Sequence, residues 1–230
     1  MKLKATLIAA ATLAVGVISS QAQVYSQNIV GYVNLTITNG FSLIANPLDY
    51  DGTGTNNTLY TTLGTNWPNL TKVYSYTPAG GYKTATFSTS SGLWTGSAGI
   101  AQANQELAPG GGVFISVPGT FSNTITLAGQ IYPVKAPAPG YSFSGTNILT
   151  ISPGFQILSA GFPVSAGIQT GLGYVPTHLD KVYLYNGGYS TKTYNTGTTW
   201  VGGEPTPAVG QAFYLNAVSS TNWVQSLNIQ

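Results

Sequence analysis

Apolar and polar residues alternate with a period of two along most of this chain, and the most regular stretch occurs twice. In the run Gly40-Phe41-Ser42-Leu43-Ile44-Ala45-Asn46-Pro47, residues Phe41, Leu43 and Ala45 fall on one side, with Ser42 and Asn46 on the other. That is the pattern of a half-buried strand. The run returns as Gly154-Phe155-Gln156-Ile157-Leu158-Ser159, with Pro163 beyond it. Each is preceded by a second alternating segment, Leu35-Thr36-Ile37-Thr38 or Leu149-Thr150-Ile151-Ser152. A further block aligns without gaps, pairing Leu59 with Ile168, Leu63 with Leu172, Gly64 with Gly173 and Leu70 with Leu179. It continues with Lys72-Val73-Tyr74-Ser75-Tyr76 against Lys181-Val182-Tyr183-Leu184-Tyr185. Gly80-Gly81-Tyr82 then matches Gly187-Gly188-Tyr189, Trp94 matches Trp200, and Val113-Phe114-Ile115 is set against Ala212-Phe213-Tyr214. Such a series of pairs in one order predicts a duplicated unit.

Within each copy the elements are strands. Asn186-Gly187 supplies the positive-φ residues of a tight turn between Lys181–Tyr185 and a returning strand, a hairpin. One helical turn is expected at 57–64, where Leu59 and Leu63 are four apart and Gly64 closes the run; Ile168 and Leu172 repeat the spacing. Copy one is longer around 49–54 and between Trp94 and Phe114, and such insertions belong on exposed connections. Tyr132 to Gly140 holds Pro133, Pro137 and Pro139, which lack backbone donors and predict an extended linker rather than a strand. The long segment Val24 to Ile37 exceeds an ordinary strand of about six residues, so it bends or serves two sheets. The expected fold is all-β: two tandem homologous antiparallel modules, sandwich- or barrel-like, each with one short helical turn. Copy one occupies 23–131, a linker 132–145 and copy two 146–230. A single pseudo-two-fold barrel made by both copies is the alternative.

Composition adds a compartment. Lys2 and Lys4 precede an uncharged apolar run, Ala5 to Ile18, and Ser20-Gln21-Ala22 has the small-x-small pattern of a cleavage site. Residues 1–22 therefore read as a signal peptide and the product as exported: extracellular, cell-surface or periplasmic. The run is too short for the roughly 20 residues that span a bilayer. Removing two of the seven lysines leaves five against five acids, and arginine is absent. Phosphate backbones demand clustered cations, so nucleic acid is excluded as a partner. With no cysteine, neither disulfides nor thiolate chemistry enters. Charged residues make up only 5% of the chain, which leaves hydroxyls and amides to keep the surface wet.

Three segments carry a family resemblance: Gly40 to Ile44 as G-(F/W)-x-L-(I/V), Tyr74 to Tyr82 as a Y-x-Y strand ending in G-Y, and Pro109-Gly110-Gly111-Gly112-Val113-Phe114-Ile115. Together they resemble the small exported β-repeat proteins common in Verrucomicrobia and Planctomycetes. More distantly they are similar to β modules of large secreted Bacteroidetes proteins. The second copy departs at Ala208-Val209-Gly210-Gln211-Ala212-Phe213-Tyr214, which loses the proline position. The resemblance implies a secreted or surface β module of undefined activity and carries over no catalytic residue.

Proton-handling groups are few. His178 and Asp180 are the best pair for activating a serine, yet no serine sits in a recognisable elbow, and their counterparts in copy one are Asn69 and Thr71. Glycoside hydrolysis needs two facing carboxylates; Asp49 and Asp51 share a loop, while Glu106 and Glu204 lie in others. Asp49-x-Asp51-Gly52-x-Gly54 resembles the start of a calcium loop, with oxygen ligands at alternate positions, but lacks the distal glutamate. Asp-Gly is also an ordinary turn pair. Among aromatics, Trp94 and Trp200 recur in both copies and read as core. Trp67 faces Pro176 in the alignment and is the candidate exposed sugar platform; Tyr50 of the inserted loop is a second ligand-binding candidate. The expected function is non-enzymatic and without cofactor: a structural or adhesive role through unguarded strand edges, including self-association. Binding an extracellular glycan through exposed aromatics is the alternative.

Overall fold

The computed structural model describes residues 30–96, 105–131, 134–135, 143–197 and 199–229. The expected signal peptide, and residues 24–29 of the long N-terminal segment, lie outside the described residues. Strands run β1 (Val30–Ile44), β2 (Lys72–Thr77), β3 (Gly81–Ser88), β4 (Leu93–Gly96) and β5 (Val113–Gln130). They continue as β6 (Val134–Lys135), β7 (Phe143–Ile151), β8 (Gly154–Leu158), β9 (Lys181–Tyr185), β10 (Tyr189–Asn195), β11 (Thr199–Val201), β12 (Phe213–Ala217) and β13 (Thr221–Ile229). The fold is all-β, with every ladder antiparallel. One five-stranded sheet has the order β1-β5-β2-β3-β4; the second runs β8-β12-β9-β10-β11, and β13-β7-β6 forms a third. A single helix is assigned among the described residues, α1 (Leu59–Leu63). Thr58 caps it, exchanging hydrogen bonds with Thr61, and Gly64 at φ +68 ends it. At the matching place in the second half, Gly171 N–H donates to the Gly167 carbonyl at 2.9 Å, one helical turn of bonding without an assigned helix.

Gly40 controls how β1 serves two faces. The β1–β5 register shifts between Thr38 and Gly40, and Gly40 sits at φ +89. An irregularity of this kind flips the alternation. Before it Val33 and Ile37 enter the core; after it Ile44 does, while Leu43 turns to the opposite face. Gly154, at φ +93, stands at the break between β7 and β8, so that Ile151 and Leu158 are core and Ile157 faces the other way. One core gathers α1, Trp67 and Trp94 with β1, β2, β3 and β5; the other gathers Trp200 and Trp223 with β8, β9 and β12.

Two sequence readings are corrected. Val134–Lys135 is not linker but strand, pairing with Gly145 and Ser144; unlike their proline neighbours these two residues carry N–H donors. The pairing of Val113-Phe114-Ile115 with Ala212-Phe213-Tyr214 is one residue out. Phe114 lies between Leu43 and Tyr74, and the residue held in the same way between Ile157 and Tyr183 is Tyr214. Matching the phenylalanines would exchange faces, since Phe213 is buried in its core whereas Phe114 is half-buried on the opposite side.

Candidate functional site

The second faces of the two large sheets meet. Leu43 and Ala45 pack with Ile157, Ala212 and Tyr214, flanked by Tyr76, Phe114, Tyr183 and Tyr185. The backbone contacts across this junction come in exchanged pairs. Ala45 N–H donates to the Gly210 carbonyl at 2.8 Å, and Ser159 N–H to the Gly110 carbonyl at 2.9 Å. Ile44 bridges to Gln211, and Leu158 to Gly111. Gly210 lies under Leu35, and Gly110 under Leu149, each glycine with positive φ and too little room for a Cβ.

Above the apolar floor the junction opens into a cleft of about 400 Å³ lined by Tyr76, Tyr82, Phe155, Tyr183, Tyr189 and Tyr214. Tyr76 comes from β2, Tyr82 from β3, and the rest from β8, β9, β10 and β12. Period-2 geometry puts them there: Val73 and Val182 point into the cores, so Tyr74, Tyr76, Tyr183 and Tyr185 face the junction. Ring pairs fix the walls, with Tyr76 and Tyr82 centroids 4.7 Å apart, Phe155 and Tyr183 5.7 Å, and Tyr189 and Tyr214 6.2 Å. The Tyr82 and Tyr214 hydroxyls lie 3.3 Å apart across the cleft. Burial, then the hydrogen bond with Tyr82, pushes the Tyr214 phenol up; burial, then the neighbouring phenols of Tyr82 and Tyr185, raises Tyr189. Both stay protonated and neutral at physiological pH, each hydroxyl able to donate and accept.

Tyr76 also borders a second cavity, of about 530 Å³, lined by Ser75, Thr77, Lys83, Gln105, Glu106, Gly111, Gly112 and Ile157 among others. Two backbone bonds hold the 105–107 segment there: Leu59 N–H to the Gln105 carbonyl at 3.0 Å and Leu107 N–H to the Asn57 carbonyl at 2.6 Å. A third hollow, about 720 Å³, follows the outer edge of β1 from Asn34 to Ile44 and is walled by Tyr185–Gly187 and Val209–Gln211.

The residues singled out from sequence lie elsewhere. Trp67 is not an exposed platform: it is 5% exposed, donates from Nε1 to the Leu63 carbonyl at 3.0 Å, and packs edge-on against Trp94. Tyr50 is exposed and does not line the cleft. Asp49 is buried and accepts from Asn57 Nδ2 at 2.7 Å and Gly54 N–H at 2.7 Å. Asp51 accepts from Thr53 N–H and Oγ1 and from Asn56 Nδ2, and these bonds hold its carboxyl below the usual range. N–H and O–H donors thus occupy the oxygens that would ligate calcium, and among the described residues no group of three His, Asp or Glu converges. His178 is exposed and accepts from Thr196 N–H at 3.2 Å, while Asp180 is buried and accepts from Tyr174, Thr177 and Val218. Glu204 accepts from Gln169 and Thr170. Only Glu106 of the five carboxylates makes no side-chain hydrogen bond among the described residues, and it borders the second cavity. Comparisons with protein-family models, curated proteins and solved structures found no match to this chain.

Proposed function

We propose that this is an exported β-repeat protein, secreted or retained at the cell surface, that acts by structural or adhesive interaction rather than catalysis. The observation that carries the reading is the outer edge of β1 ahead of Gly40. None of residues Val30–Ile44 is charged, β1 ends its sheet, and residues 210–212 pair only with the far end of the strand and its continuation, at Leu43 to Ala45. Most sheet edges are guarded by lysine, proline or a covering element. An unguarded edge offers its backbone groups to an added strand. On the corresponding side of the other half, β7 carries β6 at Ser144 and Gly145, so an edge of this kind accepts an antiparallel strand. The face beside β1 is a hydroxyl ladder, Thr36 against Thr124 at 3.1 Å and Thr126 donating to Asn34 at 2.7 Å, neutral and suited to close approach.

The repeat reading is supported by the shared strand order of the two large sheets, the matched glycines 40 and 154, and the exchanged junction contacts. Export rests on the leader pattern in residues 1–22. Among the described residues no helix is long and apolar enough to cross a membrane. Sizing the purified protein against a form lacking Val24 to Tyr32 tests the edge: the shortened chain loses higher-order species, whereas unchanged assembly rejects the idea. A second reading, glycan binding, is favoured by one observation, the tyrosine cleft.

A further inference from the structure

We infer that the tyrosine cleft and the polar cavity beside it form one site for a neutral oligosaccharide, its chain passing over Tyr76 from the aromatic half to a polar half headed by Gln105. This rests on the glycan reading and gives it a place and a ligand class.

The aromatic half supplies platforms. Tyr82 and Tyr189 are 61% and 55% exposed, so their faces are open, yet each is steadied by a ring neighbour, Tyr76 and Tyr185 respectively. Tyrosine offers large, rigid, amphipathic contact area at low entropic cost. Its apolar face matches the C–H face of a pyranose, and its hydroxyl matches the rim.

The polar half supplies direction. Gln105 is only 9% exposed; its Nε2 donates to Ser75 Oγ at 2.8 Å, and its Oε1 has no partner. A buried polar atom left unpaired is destabilising and needs a donor. A sugar hydroxyl both donates and accepts, so it satisfies this amide once the carboxamide turns toward the cavity that Gln105 lines. The cavity carries no net charge, because Lys83 and Glu106 bring one cation and one anion to it. Each cavity lies within the range of about 300–1,000 Å³ that holds small ligands. With Tyr76 common to both, a ligand filling them has at least two rigid polar units joined in a chain. A single carboxylate borders the site, whereas glycosidic cleavage needs two; the site holds its ligand without cutting it.

Calorimetric titration with cello-, xylo-, manno- and chito-hexasaccharides tests this on wild type and on Tyr82→Ala, Tyr189→Ala, Gln105→Leu and, as a distant control, Tyr32→Ala. Circular dichroism and melting curves check that each variant folds, and Gln105→Glu replaces Gln105→Leu if the latter does not. Binding of one probe, weakened about tenfold or more by each of the three cleft variants and unchanged in Tyr32→Ala, is the expected result. Binding that survives all three cleft variants overturns this site while leaving the glycan reading standing. Loss with the tyrosine variants alone overturns the two-part site. No binding of any probe to wild type overturns both.

Discussion

Gly112 and Ala212 face each other across the junction, and a Cβ on Gly112 would lie 2.4 Å from the Cβ of Ala212. Register places the two at matching ladder positions, one residue before Val113 and Phe213. Only one methyl fits where the halves touch. Gly112→Ala is therefore expected to cost about 1–3 kcal/mol by overpacking. Adding Ala212→Gly returns the single methyl to the gap from the other side and recovers part of that loss. The recovery is partial, because Ile157 Cγ2 would also lie 2.8 Å from the new Cβ. Urea denaturation of the two single variants and the double one reads the coupling; strictly additive effects would mean that the two residues do not share the space.

Trp67 is buried in the first core. Trp67→Ala leaves a cavity beside Trp94 and Phe121 and is expected to destabilise by about 3–5 kcal/mol. Thermal melting checks this, and a variant as stable as wild type would contradict the burial of that ring.

Leu70 and Leu179 adopt φ +67 and +70 although neither is glycine, and both side chains are largely exposed. Left-handed backbone costs a leucine about 1–2 kcal/mol. Leu70→Gly and Leu179→Gly are each expected to match or exceed wild-type stability, by up to about 1 kcal/mol, in chemical denaturation. A clear loss in either would mean that the leucine side chain earns more than its strained backbone costs.

Alkali separates the buried phenols from the exposed ones. Tyr174 is raised, first by burial and then by donating to Asp180 at 2.7 Å; Tyr214 is raised first by burial. An unfolded tyrosine ionises near pH 10. Because the folded groups keep their protons beyond that point, the unfolded state releases protons first. Stability is full below about pH 10 and falls as pH rises above it. Tyr174→Phe is expected to lower neutral-pH stability by about 1–2 kcal/mol, since Asp180 loses a donor, and to flatten the alkaline decline. Urea midpoints across the alkaline range measure both effects; a decline as steep in Tyr174→Phe would place the cause elsewhere.

Much of the architecture was legible because period-2 alternation and turn glycines are local signals. The matched glycines 40 and 154 and the two Lys-Val-Tyr strands could be read residue by residue; the hairpin after Tyr185 is present, but Gly187 alone of its expected turn pair has positive φ, in a three-residue loop closed by Tyr189. Residue identity sets Phe114 against Phe213, whereas the ladder that fixes the register of Phe114 is formed with distant Leu43 and Tyr74. The lack of a counterpart for Trp67 in the second half carries no information about the core site beside α1 that it fills. The cleft depends on how two sheets meet, which no local pattern encodes. One signal did point to it: Val73 alternates with Tyr74 and Tyr76, and a strand apolar on both faces is packed on both.

The unguarded β1 edge is tested most directly by sedimentation velocity on wild type and on a Tyr32→Lys, Thr36→Lys double variant, over a range of concentrations. Both side chains are exposed, so the fold tolerates the lysines while the edge gains the charge it lacks. The expected result is concentration-dependent assembly of wild type and a single monomeric boundary for the variant. Equal assembly of the two proteins, or a wild type that stays monomeric throughout, would contradict the account.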